Sequence, residues 1–238
     1  MQPKMKYQKL DQIDHIHKRP DMYVGAIKQK KELNEWTADL KSETPKMIHK
    51  DHITYSPALL RIFIEALSNS IDNVWRSHKT LTPCTKIKVN ICHETGETSV
   101  WNDGCSIPIE KDEEHNVYIP EMIFGQLLTG SNYDDNEERF TSGRNGLGIK
   151  LTNVFSSQFK VEIYDENSGQ LYKKTWENNM RNSKKERIST PKGKKSYTKV
   201  SWIPDFNKFK LEKYNKTILS IYYRYVYDAA MLTGVNVY

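Results

Sequence analysis

Thr141-Ser-Gly-Arg-Asn-Gly-Leu-Gly-Ile-Lys150 sets three glycines, Gly143, Gly146 and Gly148, within six residues. Glycine has no Cβ and adopts positive φ freely, so such a chain can bring its amides close to an anion. The stretch runs into Ile149-Lys-Leu-Thr-Asn-Val-Phe155, which reads as a helix start. A glycine-rich turn feeding a helix N-terminus suits a phosphate, because unpaired N–H groups and the helix dipole both face the ligand. No Gly-Lys-Ser/Thr follows, so this is not a P-loop. No strand–helix–strand unit precedes it, which argues against a dinucleotide-binding turn. Taken alone, the same letters also suit a plain flexible loop, and the upstream segments decide between the two.

Upstream, Ser56 or Thr54 caps a long helix, with Pro57 in its first turn. Leu60, Phe63, Ile64, Leu67, Ile71 and Val74 recur at helical spacing and mark its apolar face. Glu65 and Asn69 lie four apart and stack on one side of that helix, with Asp72 and Asn73 one turn on. A cluster of acidic and amide groups like this suits a polar site more than packing, although a solvated face has the same pattern.

The remaining segments fall into short helices and strands. Tyr7 to Gly25 carries a short helical pattern, Leu10, Ile13 and Ile16, stopped at Arg19-Pro20. Lys28 to Lys50 is highly charged and reads as a loop or a weak hairpin. Lys86 to Cys92 and Glu97 to Asn102 alternate as paired strands, and the second ends at Asn102-Asp-Gly-Cys-Ser-Ile-Pro108. Tyr118 to Leu128 reads as a helix. Thr129 to Asn136 is a polar loop that joins the glycine stretch in one long, lid-like connection. Phe159 to Tyr164 and Gln170 to Trp176 form a hairpin through Asn167-Ser-Gly169. A strand at 196–204, a helix at 213–232 and a strand start at 235–238 complete the pattern. The class is α+β, with helices over one face of a mixed sheet.

The 238 residues suffice for one large domain or two small ones. Fourteen Tyr and five Trp supply a core, which excludes global disorder. No run approaches the ~20 apolar residues that span a bilayer. Met1 to Tyr7 has no apolar secretory signature, and Cys84, Cys92 and Cys105 show no metal spacing, so reduced thiols in an intracellular protein are expected. The net charge of +6 sits largely between Arg181 and Lys199, either a solvated face or a contact for a polyanion.

Four segments line up in order: Glu65-x-x-x-Asn69, Asn102-Asp-Gly-x-x-Ile-Pro108, Thr129-Gly-Ser-Asn-Tyr-Asp-Asp135, and Gly143-Arg-Asn-Gly-x-Gly-x-Lys150. The series resembles the ATPase region of eukaryotic-type type IIA DNA topoisomerases, members of the gyrase/chaperone/histidine-kinase/MutL (GHKL) superfamily. Tyr7-Gln-Lys, His15-Ile-x-x-Arg-Pro-Asp-x-Tyr-x-Gly25, Ile123-Phe-Gly-Gln-Leu-Leu-Thr129 and Lys174-Thr-Trp176 extend the resemblance over nearly the whole chain.

The resemblance implies a Bergerat (GHKL) two-layer sandwich at 26–238, preceded by an N-terminal arm at 1–25. It implies ATP and Mg²⁺ as ligands. Glu65 takes the place of the general base, Asn69 of the magnesium ligand, and Asn102 of the adenine-reading residue, with Asp103 beside it structural. Gly130, Ser131 and Asn132 take the place of a ribose and phosphate loop. Gly143, Arg144, Asn145, Gly146, Leu147, Gly148, Ile149 and Lys150 would close on the triphosphate, and Thr198 would lie near the base. Ser106 and Gly130 depart from the family pattern in the adenine turn and the ribose loop. The family's transducer lysine and DNA-cleaving region are expected beyond this stretch, which reads as an N-terminal piece of a larger enzyme. Partners implied are duplex DNA and a second copy of the domain, in a nucleus or in the host compartment or virion of a large DNA virus. Another GHKL ATPase, such as a MutL-like or chaperone protein, and a nucleotide-gated dimerisation module with little turnover are the alternatives.

Overall fold

The computed structural model describes residues 9–127, 147–193 and 195–238. Asp11 caps α1 (Gln12–Lys18) by accepting the Asp14 N–H at 2.7 Å, and a short 3-10 turn follows at Pro20–Met22. Ile16 of α1 is fully buried, so this part of the expected arm is packed onto the core. Arg181 holds α1 through ion pairs to Asp11 and Asp14.

His17 on α1 meets the Phe155 ring edge to face at 5.2 Å. Both its ring nitrogens are buried with no hydrogen-bond partner among the described residues. Burial, helped by the positive charges of Lys208 and Arg181, lowers its pKa from 6.5 to about 4. The unfolded chain therefore binds this proton near 6.5 and the folded chain only near 4. Between those values the unfolded state holds more protons, so stability falls as pH drops through the window. His17→Leu is expected to flatten the loss of melting temperature over this range. Equal slopes for the two proteins would remove His17 as its cause.

The charged region expected to be irregular forms a hairpin of two nine-residue strands, β1 (Lys30–Ala38) and β2 (Met47–Tyr55). Its alternation is hard to read because charged residues occupy both of its faces; Glu35 points to the last helix and pairs with Arg224 at 3.4 Å. Ser56, rather than Thr54, caps α2 (Pro57–Ser77), accepting the Leu59 N–H at 3.3 Å. Strands β3 (Lys86–Ile91) and β4 (Thr98–Asp103) follow as a hairpin. Helix α3 (Ile119–Gly125) ends three residues before the expected Leu128, and α4 is Gly148–Val154.

Strands β5 (Ser156–Asp165) and β6 (Gln170–Glu177) form the second hairpin, and the short β7 (Asn182–Ser183) and β8 (Arg187–Ser189) lie on its β6 edge. Strand β9 (Tyr197–Pro204) precedes α5 (Lys216–Thr233), which Asn215 caps and Gly234 ends at φ 68°. Strand β10 (Asn236–Val237) returns beside β3.

The main sheet runs β10-β3-β4-β9-β5-β6-β7, with β8 also on β6. Only β10–β3 is parallel among the described pairs, so the sheet is mixed and mostly antiparallel as expected. Its inner face is covered by α2, α4 and α5. Phe63 of α2 stacks on Tyr222 of α5 at 4.0 Å, and Trp202 of β9 lies 6.4 Å from the same phenyl ring. The Tyr222 hydroxyl donates to the Leu59 carbonyl at 2.7 Å, whereas the buried Trp202 indole N–H has no hydrogen-bond partner among the described residues. Thr152 donates to the Ile62 carbonyl at 2.8 Å and Asn153 to the Phe124 carbonyl at 3.0 Å, pinning α4 to α2 and α3. Among the described residues no helix is long and apolar enough to cross a membrane.

Candidate functional site

Helix α2 carries Glu65 to the first residue of α4. A Cβ built on Gly148 would lie 2.1 Å from Glu65 Oε2, so the carboxylate occupies the space a side chain would take. Two segments far apart in sequence, the helix motif and the end of the glycine stretch, therefore meet at one carboxylate. Arg61, one turn earlier on α2, pairs with Glu65 Oε1 at 2.5 Å. Burial raises the Glu65 pKa and the Asp72 carboxylate adds to the rise, while Arg61 opposes both. A half-buried carboxylate with a raised pKa, one oxygen held by arginine and the other turned to a glycine, has the chemistry of a proton acceptor.

Asn102 ends the helix-facing side of β4. Its Oδ1 accepts from the Ser70 hydroxyl of α2 at 3.0 Å, and its Nδ2 donates to the Asp103 carbonyl at 2.8 Å. Each amide atom keeps one further bonding direction, so the group is oriented yet able to bind. Thr198 of β9 stands directly opposite Asn102 and pairs on its other side with Ile163 of β5. Asn102, Thr198 and Ile163 thus form one row on the inner face of the sheet beneath α2.

Asn73 belongs to the helical cluster in sequence but not to the site. It is buried, and its Nδ2 donates to the Asp103 and Cys105 carbonyls, each at 3.2 Å. It ties α2 to the turn after β4. Asp103 is likewise structural: its carboxylate accepts the Thr85 and Lys86 amides at 2.7 and 2.8 Å and the Thr85 hydroxyl at 2.7 Å. Gly104 turns there at φ +98°, and any Cβ would sit 2.8 Å from the Cys84 backbone, so the turn demands glycine. Ser106, the departure in this turn, donates to Asp165 at 2.9 Å and so fastens the turn to the β5–β6 hairpin.

Other segments quoted for the resemblance also meet. Gly125 of α3 packs on the Trp176 indole, 2.6 Å from where its Cβ would lie. Lys174 is buried beneath α3 and bridges Glu121 at 2.7 Å and Glu186 at 3.5 Å.

Asn69 is exposed on α2, one turn beyond Glu65. At the start of α4, Leu147 and Gly148 are half-buried and Ile149 and Lys150 are buried. Burial lowers the Lys150 ammonium from 10.5 to about 8. Tyr7, Thr129, Gly130, Ser131, Asn132, Gly143, Arg144, Asn145 and Gly146 lie outside the described residues. Sequence reasoning missed Arg61, Ser70 and the Gly148 contact. The Arg61–Glu65 spacing of four was available as a helical ion-pair signal, whereas Ser70 meets Asn102 only through the tertiary fold.

Residues 54–200 match the family described as histidine kinase-, DNA gyrase B- and HSP90-like ATPase. That is more than half of the chain, and it includes Glu65, Asn102 and Gly148. The chain belongs to this ATPase family. It has the two-layer fold expected of that family. It is 47% identical over 234 residues to the DNA topoisomerase 2 of Meyerozyma guilliermondii, covering 98% of this chain and 16% of that protein. It is 41% identical over 235 residues to the DNA topoisomerase 2 of Acanthamoeba polyphaga mimivirus, covering 98% and 18%. Among solved structures, the ATPase region of Saccharomyces cerevisiae topoisomerase II bound to ICRF-187 superposes with a TM-score of 0.91 at 44% identity, covering 98% of this chain and 60% of that one. The ATPase and transducer domains of DNA topoisomerase II from Balamuthia mandrillaris give 0.91 at 36% identity, covering 100% and 60%. The chain therefore spans less than a fifth of the curated relatives named here.

Proposed function

We propose that this chain is the ATP-binding and ATP-hydrolysing domain of a type IIA DNA topoisomerase, in which nucleotide binding joins two copies as a gate for a passing duplex. The observation that carries the reading is the Glu65 carboxylate seated against Gly148, where a helix-borne base meets the end of a glycine-rich stretch. The identity to DNA topoisomerase 2 proteins along 98% of the chain supports the choice among ATPases of this family.

In this reading residues 1–25 form an arm that contributes to the dimer contact, and 26–238 form the nucleotide domain. Asn102 accepts from the adenine amino group, with Thr198 beside it. Gly130, Ser131 and Asn132 contact ribose and phosphate. Gly143, Arg144, Asn145, Gly146, Leu147, Gly148, Ile149 and Lys150 surround the triphosphate through backbone amides and the Lys150 charge.

Glu65 takes a proton from the water whose oxygen attacks the γ-phosphorus, giving ADP and phosphate. In-line phosphoryl transfer asks for a positioned water and charge neutralisation more than for covalent help, and Glu65 supplies the first.

Mg²⁺ fits the donor set. Among the described residues no three His, Cys, Asp or Glu side chains gather to hold a metal. The exposed Asn69 offers a single neutral oxygen beside Glu65, which suits an ion that keeps most of its waters and shares phosphate oxygens. Bound there, Mg²⁺ would neutralise phosphate charge. The protein belongs in a nucleus or in the compartments used by a large DNA virus. The full-length protein is expected to relax supercoiled DNA with ATP and to stop when EDTA is added. Relaxation that needs no ATP, or none at all, would contradict the proposal.

A further inference from the structure

The inner face of the sheet holds the nucleotide residues; the outer face has had no task. Pairing in the sheet sets Lys88, Trp101, Lys199, Glu162, Lys173 and Arg187 in one row across six strands. Directly paired residues share a face. Trp101 neighbours the inward-facing Asn102 along β4, so the row lies on the opposite, outer side. With strands ~4.8 Å apart, six of them span roughly 24 Å.

We infer that this outer face docks the phosphate backbone of duplex DNA, which rests on the topoisomerase reading above and names its surface. Charge is the first argument. The carboxylates on the face are already engaged: Glu162 with Lys173 at 2.5 Å and the Tyr197 hydroxyl at 2.6 Å, Glu97 with Lys160 at 3.0 Å, and Asp103 with backbone amides. Lys86, Lys88 and Arg187 are exposed and have no ion-pair partner among the described residues, while the half-buried Lys199 stands opposite Glu162 and helps to lower its pKa. Exposed cations without ion-pair partners on a broad polar face whose carboxylates are engaged complement a polyanion.

The aromatic groups decide which part of the nucleic acid is met. Lys88 Nζ lies 5.0 Å from the Trp101 ring centroid, over its face. Tyr197 lies between Trp101 at 6.0 Å and the buried Tyr164 at 6.2 Å, with its hydroxyl tied to Glu162. These rings are engaged with one another and with a cation, and do not stand free as base-stacking platforms. What the face offers outward is charge, which reads backbone and not sequence.

The test uses this chain and a fluorescein-labelled 30-base-pair duplex of arbitrary sequence, followed by anisotropy at several salt concentrations. The triple variant Lys88→Ala, Lys199→Ala, Arg187→Ala is compared with wild type and with a control that removes three exposed hairpin charges, Lys30→Ala, Lys31→Ala, Lys50→Ala. Losing three phosphate contacts should shrink the slope of log affinity against log salt by about 2–3. The control should keep the wild-type slope, and all three proteins should keep their melting temperature and their affinity for an ATP analogue. A triple variant with the wild-type slope, an equal loss in the control, or tighter binding of a single strand of the same length would each overturn the inference. Relaxation by the full-length protein separates the two claims. Relaxation with an unchanged triple-variant slope removes the surface and leaves the function; a changed slope without relaxation does the reverse.

Discussion

Glu65→Gln is expected to lower ATP turnover by about 10²–10⁴-fold while nucleotide affinity stays close to wild type. Glutamine keeps the shape of the side chain and its place against Gly148, but cannot take a proton from water. The loss should therefore appear in kcat, since the groups assigned to adenine and phosphate are untouched. The pH profile adds a second sign. Turnover needs the ionised carboxylate, so it should fall as pH drops through a Glu65 pKa that burial holds above the ordinary 4.5. Arg61→Gln removes the one group that opposes that rise and should move the acid limb to still higher pH. Single-turnover hydrolysis by the full-length protein reads both effects; unchanged turnover in Glu65→Gln would show that the base lies elsewhere.

The second large effect comes from a methyl group. Gly148→Ala would place a Cβ 2.1 Å from Glu65 Oε2 and 3.1 Å from its carboxyl carbon. The atoms it meets are the far end of a flexible side chain, so the fold can yield by turning Glu65 away. Misplacing a catalytic group by about 1 Å costs on the order of 10²-fold in rate. Alanine also favours a helix over glycine, though by less at this first helical position than the ~1 kcal/mol of a helix interior. The expected pair of results is turnover down about 10²-fold with the melting temperature kept or raised. Full activity in this variant would mean that Glu65 and the start of α4 need not meet for the chemistry. A fall in both activity and stability would point to repacking of the helix instead.

The letters alone made much of this site legible. Glu65 and Asn69 announce themselves by helical spacing, and Asn102 by its place at a strand end before a glycine turn. The element pattern gave the α+β class and the mixed sheet. What stayed hidden depends on approach through space. Ser70 is an ordinary helix serine until the fold brings it 3.0 Å from Asn102. Asn73 looks like a fourth site residue, yet its amide is consumed by two turn carbonyls. The β1–β2 hairpin was obscured because it packs only partly on α5 and leaves Leu33 and Trp36 exposed, so no clean alternation marks its buried face. The row of cations on the outer sheet face is invisible in sequence order, since Lys88, Lys199, Lys173 and Arg187 come from β3, β9, β6 and β8 and meet only through register.

The central claim is a nucleotide pocket whose adenine end is Asn102 and whose hydrolytic end is Glu65. Calorimetric titration of this chain with a non-hydrolysable ATP analogue, with and without Mg²⁺ and beside Asn102→Ala, tests it most directly. The account predicts magnesium-dependent binding by wild type that is lost in Asn102→Ala. Binding that is indifferent to the Asn102 substitution, or no binding by wild type at millimolar analogue in this chain and in the full-length protein, would contradict it.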